Sequence, residues 1–225
     1  MKIARYLTAA ALLFFFSPAS LSLAAPWGVA ANYLDATIST VDLGTTPPTV
    51  YGPFLAGQLG SGGTWDLAIT PDSRYALATS YNGCSVYRID LTDPTAPTLA
   101  GALALPVITG APAPGCFTAL DIAVAPNGQF AVISSGRSFI IPPQPPTNRL
   151  GFIDLATFTY TGTYTLTTLN GSAQAVAIAA DSQTIIMADR AGGAAALPFP
   201  GRIIFGAVNA AKDGLISEST LSTGA

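Results

Sequence analysis

One block of residues recurs three times at nearly constant spacing, and it constrains the fold more than any other feature. Trp65-Asp66-Leu67-Ala68-Ile69-Thr70-Pro71-Asp72-Ser73 is echoed by Leu120-Asp121-Ile122-Ala123-Val124-Ala125-Pro126-Asn127-Gly128, and then by Ala175-Val176-Ala177-Ile178-Ala179-Ala180-Asp181-Ser182. Asp72 lies 55 positions before Asn127, and Asn127 lies 54 before Asp181. A fixed period marks a repeat architecture, in which each unit buries its apolar surface against its neighbours. Each copy reads as a short apolar strand ending in a Pro-Asp, Pro-Asn or Ala-Asp turn, where an Asx side chain caps the turn backbone.

A second strand follows each turn, at Arg74–Ser80, Gln129–Ser135 and Gln183–Asp189. A third ends in an apolar-Asp-Leu signature, at Ile89-Asp90-Leu91 and Ile153-Asp154-Leu155, and a fourth carries a central glycine, at Gly101 and Gly162. Thr, Val, Ile, Tyr and Phe dominate these segments, as β-propensity requires. Four antiparallel strands per unit of more than about 40 residues is the arithmetic of an all-β propeller blade. A non-repeating β-sandwich is the competing reading. Val29–Tyr33 followed by Ile38–Leu43 aligns without a gap on Leu77–Tyr81 followed by Val86–Leu91, and Thr49–Gly52 supplies a fourth strand. This first unit lacks its own first strand. The units therefore run over about 27–57, 65–118, 119–173 and 174–225. With no strand left over near Ser217–Ala225 to complete the first unit, the expected form is an incomplete, open N-terminal part of a larger propeller, or a gene fragment. Self-association of two open arcs is a further reading.

Ala30-Ala31-Asn32-Tyr33 with Ile38-Ser39-Thr40-Val41-Asp42-Leu43 resembles the YVTN repeat. Ala68-Ile69-Thr70-Pro71-Asp72-Ser73-Arg74-Tyr75 and Val124-Ala125-Pro126-Asn127-Gly128-Gln129-Phe130 resemble its second half, and Arg88-Ile89-Asp90-Leu91-Thr92-Asp93-Pro94 is similar to the related LVIVD repeat. The chain departs from the pattern in one column, where Asn32 is followed by Ser80, Ser135 and Asp189. The resemblance implies a β-propeller. It says little about function, because such propellers host lactonases, quinoprotein subunits, surface-layer proteins and binding modules.

Residues 1–24 read as a secretory signal: Lys2 and Arg5 precede the apolar run Leu7–Phe16, Ser17-Pro18 breaks it, and Ser22 and Ala24 fit cleavage after Ala24. An uncleaved anchor is the alternative, but the run is short for roughly 20 spanning residues. The product, 25–225, is expected to be periplasmic, on the cell surface or extracellular, with no membrane association after cleavage. The nine Lys and Arg lose Lys2 and Arg5 on cleavage, so twelve Asp and Glu leave it near −5. That balance argues against nucleic acid as a partner. The chain has no histidine, which excludes Ser-His-Asp and Cys-His catalysis and His-ligated zinc within it.

Successive strands reverse, so the second-to-third-strand loops share one rim with the connections into the next unit. These loops vary from Tyr81–Ser85 to the Pro-rich 138–148 and the Gly/Pro-rich 191–201. Long loops on a rigid scaffold are where binding usually lives. Residues expected to bind a small polar or anionic ligand toward this rim are Asn32, Asp66, Asp121, Arg137, Asp189 and Arg190, with strand-end pairing as the plainer role. Asp42, Asp90 and Asp154 share one repeat position and read as turn residues. Cys84 and Cys116 fall on the same rim in adjacent units, and export favours a disulfide over two isolated thiols. No catalytic constellation, metal site or cofactor is expected, although calcium among Asp side chains and loop carbonyls stays open. The function that fits is non-catalytic recognition of a protein or glycan, or a cell-surface structural role. A lactonase-like or quinoprotein-like enzyme is the alternative.

Overall fold

A computed structural model describes residues 26–222, apart from 61–62, 81–82, 109–114, 118, 136–148, 168–171 and 191–201. The expected signal segment, Arg137 and the long rim loops therefore lie outside the described residues. Among the described residues all regular structure is β. A three-stranded sheet contains β1 (Trp27–Asn32), β2 (Thr37–Asp42) and β3 (Thr49–Phe54). Three four-stranded sheets follow. The first is β4 (Thr64–Ile69), β5 (Tyr75–Ser80), β6 (Ser85–Asp90) and β7 (Thr98–Ala104). After a two-residue ladder, β8 (Val107–Ile108) with β9 (Gly115–Cys116), comes β10 (Ala119–Val124), β11 (Phe130–Ser135), β12 (Arg149–Asp154) and β13 (Thr159–Thr165). The last is β14 (Ser172–Ile178), β15 (Thr184–Arg190), β16 (Arg202–Val208) and β17 (Leu215–Ser222). Every pairing is antiparallel and between consecutive strands. This is the blade architecture of a β-propeller, and among the described residues no strand stands inside β1 in the first blade.

The register confirms which strands correspond. Asn32 pairs with Thr37 and Trp27 with Asp42, as Ser80 pairs with Ser85 and Tyr75 with Asp90. So β1 occupies the place of β5, a second strand. Blades stack through inner strands: β10 lies against both β4 and β14, and β1 lies against β4.

Three buried clusters fill the spaces between successive blades. Ile38, Ala76, Ala78 and Ile89 pack between the first and second, and Leu77, Val86, Ile122, Ala131 and Ile133 between the second and third. Phe130, Val132, Phe152, Val176 and Ile185 pack between the third and fourth. Alternate residues of one strand thus serve opposite interfaces, because successive strand side chains point to opposite faces. This is why β5 beyond Tyr75 and all of β11 are fully buried, with apolar side chains over Ala76–Ala78 and Phe130–Ile133 and small hydroxyl residues at the ends.

The first-to-second-strand turns are three copies of one device. The N–H of Ser73, Gly128 and Ser182 donates to the carbonyl of Thr70, Ala125 and Ala179. All three residues sit at positive φ, 59°, 69° and 56°, a conformation that glycine adopts freely and serine holds at some cost. Asp72, Asn127 and Asp181 each accept the N–H two residues on through Oδ1. Asp42, Asp90 and Asp154 cap the third-to-fourth-strand turns in the same manner, accepting from Gly44, Thr92 and Thr157.

Those third-to-fourth-strand turns also dock on the preceding blade. Thr40 Oγ1 donates to the Pro94 carbonyl, and Thr161 Oγ1 to that of Lys212. Phe158 lies 3.4 Å from where a Cβ on Gly101 would stand, and a Cβ on Gly162 would meet the Asp213 carbonyl. The glycine repeated in the fourth strand is therefore a landing place for the neighbouring turn. Arg88 is held on the same surface between the rings of Tyr75 and Phe158, at 5.1 and 4.6 Å.

Candidate carboxyl pair at the inner strands

Each inner strand of the complete blades carries a bulge at its start. The register shifts between Thr64 and Leu67, between Ala119 and Asp121, and between Ala173 and Ala175. A bulge re-aims the side chains beside it. Here it turns Asp66 and Asp121 out of their own sheets toward the next blade. The Ile122 N–H donates to Asp66 Oδ2 at 2.9 Å, and the Val176 N–H donates to Asp121 Oδ2 at 2.6 Å. The third copy has Ala175, so the relay ends there.

The two carboxyls also meet each other. Burial, and then the hydrogen bond and negative charge of Asp66, push Asp121 up to about 7, against the lowering effect of the Val176 N–H. While Asp121 keeps its proton, the cost of a second negative charge beside Asp66 is avoided. The Asp66 backbone is fastened as well: its N–H donates to Thr79 Oγ1 at 3.1 Å.

Hydroxyls gather at the rim end of the same strands. Thr64 Oγ1, Ser134 Oγ and Ser135 Oγ are buried and have no hydrogen-bond partner among the described residues. Asp121 pairs with Ser134 across the strands, Ala119 with Ser135, and Thr64 with Ser80. The sequence reading named none of these three as a ligand residue, although Thr64 sits two positions from Asp66, Ser135 two from Arg137 and Ser134 three from Arg137.

Of the other expected site residues, Asn32 turns inward on its own hairpin, its Nδ2 donating to Thr37 Oγ1 and Ser39 Oγ. Asp189 and Arg190 end β15, at the rim end, but their side chains lie outside the described residues. The expected partnership of carboxylates with guanidinium groups lies outside them too. Cys84 stands in the β5–β6 turn, and its carbonyl accepts from the Leu105 N–H at 2.8 Å. Cys116 pairs with Val107 through the backbone, and the expected Cys84–Cys116 bond falls on a side chain outside the described residues. Among the described residues no three His, Cys, Asp or Glu side chains gather as a metal-ligand set.

The class these blades define, the β-propeller, is also what the solved structures show. Hydrazine synthase from Kuenenia stuttgartiensis aligns over 83% of this chain and 44% of its own, with TM-score 0.59 and 14% identity. A Bacteroides uniformis protein provisionally named a 6-phosphogluconolactonase aligns over 87% of this chain and 54% of its own, with TM-score 0.60 and 18% identity. At such identities the likeness concerns the fold alone, and the chain spans about half the length of either protein. Neither a protein-family model nor a curated protein sequence matches the chain. The YVTN-type resemblance thus rests on the residues that carry it.

Proposed function

We propose that the chain is exported after cleavage behind Ala24 and acts as a non-catalytic recognition module for a protein or glycan, through the rim that carries the second-to-third-strand loops. The asymmetry of the two rims carries this reading. On one rim the inner hairpins close with turns of equal length, 70–74, 125–129 and 179–183. On the other, the connections run from 81–84 to 136–148 and 191–201. One rim therefore carries only short turns, the third-to-fourth-strand turns 43–48, 91–97, 155–158 and 209–214 included, and the other holds the variation a binding surface needs. The buried hydroxyls of Thr64, Ser134 and Ser135 stand at the strand ends nearest that variable rim. A Cys84–Cys116 disulfide belongs to the same reading, since it would pin the 105–118 connection there.

The test is a glycan array together with affinity capture from the extracellular fraction, using the full-length exported product. A saturable ligand whose binding is lost when 138–146 is replaced by a short Gly-Ser linker supports the proposal. No ligand, together with measurable turnover, rejects it.

One observation favours an enzyme as second reading. A carboxyl near 7 beside a second carboxyl is poised for proton transfer at neutral pH, and a structural neighbour carries a lactonase name. Against it stands the engagement of both groups with backbone N–H donors. Lactone hydrolysis abolished by Asp121→Asn, in a variant with unchanged melting, would favour this second reading.

A further inference from the structure

Position 88 breaks the repeat. The registers align Arg88 with Phe152 and Phe205, because Tyr75 pairs with Asp90, Phe130 with Asp154 and Thr184 with Ala207. Thr40 holds the same place in the first blade. Phe152 is fully buried, and Thr40 Oγ1 donates to the Pro94 carbonyl. Arg88 puts a charge where the other blades carry a ring or a hydroxyl.

That charge is fixed in place, and no acceptor of the chain meets it. The guanidinium carbon stands 5.1 Å from the Tyr75 ring centroid and 4.6 Å from that of Phe158, which reaches over from the β12–β13 turn. Rings against the faces of a guanidinium leave its N–H donors pointing outward in its own plane. Arg88 Nε is buried without a hydrogen-bond partner, and among the described residues no carboxylate pairs with the terminal Nη groups. Arg74 differs. It also lies over the Tyr75 ring, at 4.9 Å, but it has carboxylates to answer. Hydroxyl and backbone donors, and then the Arg74 charge, hold Asp72 and Asp90 below the ordinary carboxylate range. Asp90, two residues beyond Arg88 on the same strand face, is engaged by the N–H and hydroxyl of Thr92 at 2.8 and 2.5 Å. The sister gap, between the third and fourth blades, is settled within the chain. Gln129, Phe130, Phe152 and Lys212 take the corresponding places there, and Lys212 Nζ donates to Gln129 Oε1.

We propose that Arg88 binds the carboxylate of a small organic acid, met end-on by its two Nη groups. The planar fork of a guanidinium matches a carboxylate with two parallel hydrogen bonds. The ring walls keep water from its faces and so strengthen bonds made in its plane. Asp90 on the same face repels a second negative charge, which favours a monoanion over phosphate or a polyanionic chain. The site lies between two four-stranded blades and toward the rim of short turns, away from the variable loops.

Heteronuclear NMR on the full-length chain tests this, with D-glucuronate as the probe and D-glucose as its neutral counterpart. The Arg88 Nε–H signal, identified by its loss in Arg88→Lys, is expected to shift saturably with glucuronate and to stay unmoved with glucose. Saturation transfer observed on the probe then compares variants. Arg88→Lys keeps the charge but loses the fork, and is expected to weaken glucuronate binding about tenfold. Phe158→Leu opens one face of the guanidinium and is expected to weaken binding as well, which keeps the proposal testable should Arg88→Lys not fold. Four outcomes overturn it: no saturable shift, an equal shift with glucose, phosphate bound as tightly as glucuronate, or undiminished binding in the variant that folds. A cation that serves only to join two blades produces the first of these. The rim proposal stands or falls separately, since replacing 138–146 removes rim binding and leaves the Arg88 signal and its shift as they were.

Discussion

Asp121 carries an unusual proton. Its folded-state affinity is raised from the ordinary 3.8 to about 7, so between those values the folded chain holds a proton that the unfolded chain has released. Stability from this group is complete below about pH 4 and is lost as pH rises toward 7. The turn carboxylates behave oppositely. Hydroxyl and backbone donors hold Asp72, Asp90, Asp154 and Asp181 below their ordinary value, so their contribution is present above pH 4 and lost as pH falls below it. The melting temperature is expected to decline between pH 4.5 and 7.5 by about 2–4 °C, a modest figure because solvent screens a half-exposed pair. Asp121→Asn should flatten that decline without changing the loss below pH 4, as scanning calorimetry across the range would show. The sequence made Asp66 and Asp121 visible as a repeated position. It could not show that they touch, because the approach depends on two bulges and on the angle between sheets.

The fourth-strand glycine is an element-scale feature with a testable cost. Alanine at Gly162 drives a methyl into the Asp213 backbone, which cannot swing aside, and should destabilise by roughly 1–3 kcal/mol. Alanine at Gly101 meets only the edge of Phe158 at 3.4 Å and should stay within about 1 kcal/mol. Urea unfolding of both variants separates the cases. Strand identities and the Asx turns were legible in the sequence, since each rests on local pattern. The β8–β9 ladder was not, because Val107–Ile108 and Gly115–Cys116 are too short to show a period. Nor was the stacking of Arg88 on Tyr75 and Phe158, which joins residues from two blades.

For the whole molecule, cohesion resides in the three apolar clusters between adjacent blades and in the polar links that cross the same gaps. A Cys84–Cys116 bond would add a covalent tie within one such gap, and closing a loop of that size is worth on the order of 3 kcal/mol. Peptide mapping of the protein purified under oxidising conditions should recover the two cysteines in one linked fragment, and Cys84→Ser should lower the unfolding midpoint. Recovery of two alkylated thiols would refute this. The relay of carboxylates has a mechanical corollary. It rivets the second, third and fourth blades through their inner strands, but the first hangs on its neighbour without such a rivet. Pulled from its two ends in an optical trap, the molecule should come apart at that seam: the N-terminal sheet peels away first, at low force, while the riveted remainder yields later as a block.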